Sequence, residues 1–234
     1  NTWSLPREGQ HALAYQGPDR DLRLGPYTLL WAHVPDMRAQ FADPANYDWP
    51  ANRRTWYFQT SSADPAASVF VEKTPFHLLV ADQLAQAFSD AFFVIMVRNP
   101  YATIEGIVRR GHLRGASRSE VLIAAACHVG ACFETQMYNA QAHANRSLTF
   151  TYEDLCANPA AANARLRAAL PELSDIEFNR RRPIKGLYDA ALTDMNTAQI
   201  ARLSQDDIDQ ITCALLPFET ALKIFGYRLE GIAT

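Results

Sequence analysis

The chain has no run of roughly eighteen uninterrupted apolar residues, the length a bilayer crossing needs, so an apolar transmembrane helix is not read from it. It also lacks a positively charged start followed by an apolar block, the pattern of a secretory signal. There is no excess of positive charge: the formal net charge of -3 argues against a general nucleic-acid binder, which needs a basic face. Cysteine is scarce. Cys127, Cys132, Cys156 and Cys213 have none of the paired short spacings of a zinc site, so no metal is expected and the four read as buried thiols of a reducing compartment. One sequon, Asn145-Arg146-Ser147, would matter only in a secreted or Golgi protein. The reading is a soluble, cytoplasmic protein, with the Golgi lumen as the less favoured alternative. The first residue is Asn1 and not methionine, which prompts the expectation that residues are missing upstream, including any targeting segment.

What is present is enough for one globular domain with a substantial core: 234 residues, 48% of them hydrophobic and 20% charged. Two segments stand out. Val71-Glu72-Lys73-Thr74-Pro75 and Val94-Ile95-Met96-Val97-Arg98-Asn99-Pro100 are apolar runs that end abruptly in charge. Such runs, closed by proline and followed by a helical pattern, suit parallel strands covered on both faces. Ligands of parallel sheets bind at the carboxyl ends of the strands. Lys73 and Arg98 are therefore expected side by side there, and their charge favours an anion such as phosphate or sulfate.

Around these strands the pattern predicts an α/β three-layer domain with a parallel sheet between helices. Residues 1–68 read as loops and short helices, over about 9–15 and 27–41, and not as sheet. Strand 69–72 precedes a helix opened by Pro75 and carrying Leu78, Leu79, Ala81, Leu84 and Phe88. After strand 92–97, Asn99-Pro100 starts a helix to about Arg110. A long helix is expected over 119–144 and a strand over 148–151, closed by Tyr152-Glu153-Asp154-Leu155. Asn158-Pro159 opens a helix that Pro171 stops. The tail, 204–224, reads as an amphipathic helix with Ser204 as its cap and a kink at Pro217.

Glu72-Lys73-Thr74-Pro75, then Arg98-Asn99-Pro100-Tyr101-Ala102, then Tyr152-Glu153-Asp154-Leu155 with Asn158-Pro159, and a helix ending in Phe225-Gly226-Tyr227 follow one another in order. Together they resemble the sulfotransferases that use 3'-phosphoadenosine 5'-phosphosulfate (PAPS), over roughly 56–227. The likeness is to bacterial-type members, with features of the tyrosylprotein and carbohydrate enzymes; Trp56-Tyr57 is the carbohydrate-type feature. The resemblance implies a P-loop-like sulfotransferase fold in one domain. Residues 1–68 would face the acceptor, 69–170 would form the nucleotide-binding core, and 171–234 a loop and helices.

It further implies sulfuryl transfer from PAPS to a small-molecule or carbohydrate hydroxyl, with 3',5'-adenosine diphosphate (PAP) as product, no metal and no nucleic acid. Arg98 matches an arginine that binds the 3'-phosphate. The family's serine eight residues later is Gly106 here, so Thr103 is a possible substitute. Arg110 matches a second basic residue, Tyr152 a tyrosine on the nucleotide, and Lys185 loosely a basic glycine-containing loop over the 3'-phosphate. For Arg110 and Lys185 a solvated charge run is the competing reading. Lys73 matches the lysine on the bridging or sulfuryl oxygens.

The base that takes the acceptor's proton is left among Glu8, His77 and His11, with Glu72 disfavoured because a regular strand turns it away from Lys73. A packed core histidine is the competing reading of His77. The strand and phosphate loop with which the family begins are absent from 1–72, so the first strand is expected to be missing from the chain. The alternatives are a phosphate-loop kinase of similar layering and a non-catalytic relative that binds a nucleotide or a partner.

Overall fold

The computed structural model describes residues 2–4, 30–60, 67–110, 115–174, 176–178, 182–184, 188–190 and 192–231. The helix expected over 9–15 and the candidates Glu8, His11 and Lys185 lie outside the described residues. In chain order the first elements are β1 (Thr2–Ser4), α1 (Pro35–Ala42), α2 (Trp49–Thr60) and β2 (Val69–Val71). Next come α3 (Ala81–Ala87), β3 (Phe93–Val97), α4 (Pro100–Arg109), α5 (Arg118–Ala142) and β4 (Ser147–Thr151). They are followed by α6 (Tyr152–Ala157), α7 (Pro159–Ala169), β5 (Arg182–Ile184), β6 (Tyr188–Ala190), α8 (Asn196–Ile200), α9 (Gln205–Leu215) and α10 (Glu219–Ile224).

Parallel strands need a crossover between them, and helices supply it here. β1 pairs in parallel with β2, Thr2 opposite Val69 and Ser4 opposite Val71. β3 pairs in parallel with β4, Phe93 opposite Ser147 and Val97 opposite Thr151. The result is a mixed α/β fold with small parallel sheets among helices.

Several elements differ from the sequence reading. Residues 1–68 hold a strand, β1, which at three residues is too short to show an alternating pattern. β2 and β3 belong to different pairs, and no ladder joins them among the described strands. β3 is covered on one face only: Ile95 and Val97 are buried, whereas Val94 and Met96 are each 45% exposed. Pro75 does open a helix, but Pro75–Val80 is a tighter 3-10 turn, separated from α3 by the kink at Val80 (φ -118°, ψ 20°). Tyr152–Leu155 does not close a strand. It is the first turn of α6, whose amino end is capped by Thr151 accepting from the Asp154 N–H at 3.0 Å. The basic loop near Lys185 contains the antiparallel pair β5 and β6.

The predicted caps hold. Asn99 Oδ1 accepts from Ala102 N–H at 3.1 Å, Asn158 Oδ1 from Ala161 N–H at 3.0 Å, and Ser204 forms a capping box with Asp207. α5 begins one residue earlier than read, at Arg118, because Ser117 and Glu120 close a capping box there. Pro217 interrupts the tail helix as expected, leaving α9, a 3-10 turn over Leu216–Phe218 and α10.

α5 is the spine of the core. Leu122, Ala125 and Ala126 are fully buried and Val129 nearly so, packed with Tyr101 and Ile104 of α4, Ile211 and Leu215 of α9, and Leu222 of α10. Truncating a fully buried leucine such as Leu122 to alanine costs about 2–5 kcal/mol. Gly130 is required by close approach. A Cβ at 130 would lie 2.1 Å from Cδ2 and 2.5 Å from Cγ of Phe218, atoms that cannot swing away as a flexible tip would. This packing fixes α4, and through it the carboxyl end of β3.

Candidate functional site

β3 delivers Arg98 to the sheet edge, and the Asn99 cap with Pro100 turns the chain at once into α4. The Arg98 side chain is half-buried and held on three sides. Its Nε–H donates to Asn196 Oδ1 at 2.8 Å and Nη2 donates to Gln199 Oε1. The guanidinium carbon lies 4.1 Å from the centre of the Tyr152 ring. All three partners are neutral, and no carboxylate ion-pairs with Arg98 among the described residues. Both N–H groups of Nη1 and one of Nη2 remain unspent among the described residues. A partly desolvated cation fixed by neutral groups, with donors to spare, favours an anionic ligand.

Glu153 holds this arrangement from behind. Its Oε1 accepts from the Asn99 N–H at 2.8 Å and from the Asn196 side-chain amide, and its Oε2 accepts from the Tyr227 hydroxyl at 2.6 Å. Burial works to raise the Glu153 carboxyl, but the donors from Tyr227, Asn99 and Asn196 outweigh it and hold the group below its ordinary 4.5. Burial and the Glu153 charge push the Tyr227 phenol up. Asn196 thus bridges Glu153 and Arg98. Two landmarks of the sequence, Tyr152-Glu153-Asp154-Leu155 and Phe225-Gly226-Tyr227, meet here in one hydrogen bond. The Tyr152 hydroxyl donates to Thr193 O, which fixes the ring beneath Arg98.

The other expected nucleotide residues are placed unequally. The Thr103 hydroxyl donates to Asn99 O at 2.9 Å, so that proton is committed to the helix start. Gly106 is buried, and a Cβ there would sit 3.7 Å from Gln199 Nε2. Arg110 is exposed at the carboxyl end of α4, about 15 Å along the axis from the helix start at 1.5 Å per residue.

Lys73 follows β2 and is exposed. Its neighbour Glu72 turns inward: Oε1 accepts from the Thr74 hydroxyl and Oε2 meets His77 Nδ1, both at 2.6 Å. His77 lies among the rings of Trp49, Trp56 and Phe76, with Nε2 buried and without a partner among the described residues. With one nitrogen committed to Glu72 and the other enclosed, His77 fits a packed core histidine better than a proton acceptor open to substrate.

Asn196 and Gln199 were not read as site residues, because they lie 98 and 101 residues from Arg98 and carry no local motif. Glu153 was quoted only as part of a landmark. A cavity of about 640 Å³ opens elsewhere, lined by His33, Arg38, Leu79, Ala131, Tyr138 and Phe218 and by none of Arg98's partners. Near it, burial lowers His128 to about 4 and raises the Cys132 thiol to about 12, so neither is charged near neutrality. Among the described residues no cluster of His, Cys, Asp and Glu could hold a metal ion, and no helix is long and apolar enough to cross a membrane.

A model of the sulfotransferase family fits residues 7–173, which include Lys73, Arg98, Tyr152 and Glu153. No curated protein and no solved structure matches the chain.

Proposed function

Because the chain belongs to the sulfotransferase family, we propose that it takes its sulfuryl group from PAPS and passes it to a hydroxyl acceptor by in-line displacement. The observation that supports this donor is the state of Arg98: a half-buried guanidinium at the carboxyl end of a parallel strand, beside the amino end of α4, fixed only by neutral groups. The 3'-phosphate of the nucleotide, a dianion, suits the unspent fork of such a group and the positive end of the α4 dipole.

In this reading Arg98 binds the 3'-phosphate and Tyr152 backs it. Lys73, exposed just past β2, sets an ammonium against the charge that builds on the leaving phosphate oxygen. Sulfuryl transfer needs little covalent help, so positioning and fixed charge carry most of the barrier reduction. The base is assigned to Glu8, which resembles a glutamate of the tyrosylprotein-type enzymes, ahead of His11 and of His77, which is spent on Glu72. Arg110 and Lys185 are assigned to the outer rim of the nucleotide site, and the acceptor class is a small-molecule or carbohydrate hydroxyl.

Thermal shift with PAP, against ATP plus magnesium, tests the donor. At a ligand concentration of 100 times Kd the stabilisation is about 2.7 kcal/mol, a rise of several degrees for a chain of this size. A protein stabilised by ATP with magnesium and not by PAP contradicts the assignment.

A further inference from the structure

Gln199 is only 8% exposed, yet half of its carboxamide is unused. Its oxygen accepts from Arg98 Nη2, and this settles which end of the amide is oxygen, because a guanidinium can only donate. The amide nitrogen therefore points away from that bond. It has no hydrogen-bond partner among the described residues. The position of Nε2 is fixed from the other side by α4, lying 3.7 Å from where a Cβ of Gly106 would be. Glycine at 106 leaves the space beside the helix to this amide. Arg98, bonded to the oxygen of the same amide, has donors unspent among the described residues, and Asn196, one helical turn before Gln199 on α8, holds the Arg98 Nε.

Gln199 Nε2 is not among the enclosed unpaired atoms, so although the residue is mostly buried this N–H₂ keeps an open face that a ligand can reach. Gly106 on α4 brings no side chain to pair with this amide, and Arg98, joined to its oxygen, can only donate. A ligand acceptor that displaces water from this donor and also suits Arg98 carries negative charge.

We infer that Gln199 is an anion-binding residue of the nucleotide site, its Nε2–H donating to the same phosphate that Arg98 grips. This rests on the PAPS reading above and adds to it a residue of α8, beyond the span that the family model matches. Gln199 has two duties on this view: its oxygen orients Arg98, and its nitrogen reads the phosphate.

The two duties separate by substitution. Affinities for PAP and for adenosine 5'-phosphate, which lacks the 3'-phosphate, are measured by calorimetry on the full chain, with melting temperatures as a check on folding. Gln199→Glu keeps an acceptor for Arg98 and replaces the donor by a carboxylate, and Gln199→Ala removes both. The expected result is that each variant loses about tenfold or more of the wild-type preference for PAP over adenosine 5'-phosphate, the scale of one hydrogen bond to a charged group. Affinity for adenosine 5'-phosphate should stay unchanged. Gly106→Ser in the Gln199→Ala background should restore part of the preference by supplying a hydroxyl at the same spot. Folded Gln199 variants that keep the full preference overturn the inference and leave the PAPS reading intact. A wild type that does not distinguish the two nucleotides overturns both.

Discussion

Glu153→Gln is the most informative change that leaves the shape of the site alone. The carboxylate accepts three hydrogen bonds, from the Asn99 N–H, the Asn196 amide and the Tyr227 hydroxyl. A glutamine keeps one oxygen where two of these donors meet and turns its own N–H₂ toward Tyr227, whose hydroxyl can then accept. What is lost is the charge on all three bonds. A hydrogen bond to a charged group is worth about 1 kcal/mol more than a neutral one. Since Glu153 is half-buried and the bonds share one group, a loss of about 2 kcal/mol is expected, not the full sum. That corresponds to roughly 4–8 °C in melting temperature for a chain of this length.

The effect has a definite pH dependence. The folded-state pKa of Glu153 lies below the ordinary 4.5, so its contribution is complete above 4.5 and is lost as pH falls through the folded value. The wild type should therefore outlast Glu153→Gln at pH 7 in thermal or urea unfolding, and the gap should close as the pH is taken well below 4.5. The same variant should bind PAP several-fold more weakly, because Asn196 is less firmly held against Arg98. Equal stabilities at pH 7, or a gap that persists unchanged into acid, would refute this account of how the site is held.

Other expectations follow from single features. Lys73→Ala should lower kcat at least tenfold and leave PAP affinity within about twofold, as measured by initial rates and calorimetry, because the ammonium is assigned to the transition state. Gly130→Ala should cost about 1–3 kcal/mol of overpacking against Phe218, offset by a fraction of a kcal/mol up to about 1 from helix propensity; Phe218→Ala in the same chain should recover part of the loss in urea unfolding. Asp207 is held down to about 2 by Arg118 and the Ser204 cap. Asp207→Asn should therefore destabilise by about 1–3 kcal/mol at pH 7, and the difference should fade below its ordinary 3.8 as the wild-type carboxylate protonates near 2.

The local signals in this chain were legible because their physics is local. Asn99-Pro100, Asn158-Pro159 and Ser204 satisfy amides one turn away, so a cap can be read without knowing the fold. α6 carries the same kind of signal in Thr151 with Asp154, which was overlooked because the preceding apolar run drew the reading toward a strand. β1 gave nothing to read: three residues acquire strand geometry from a partner 67 positions away in the register. The site divides along the same line. Arg98 and Tyr152 follow strand ends and stood out, whereas Asn196 and Gln199 matter only because α8 packs on α4, a long-range fact without a motif. His77 drew notice as a histidine after a strand, yet its surroundings are aromatic rings and Glu72.

The central claim is that Arg98 supplies an uncompensated, pre-oriented positive charge for the nucleotide's phosphate. Calorimetric titration of PAP into the wild type and into Arg98→Ala tests it most directly. The account predicts a loss of about 1.5–3 kcal/mol in the variant, roughly ten- to 150-fold in Kd, measured at a temperature where both proteins are folded, since the variant also gives up the bonds to Asn196 and Gln199 and the contact with Tyr152. Equal affinities for the two proteins would contradict it.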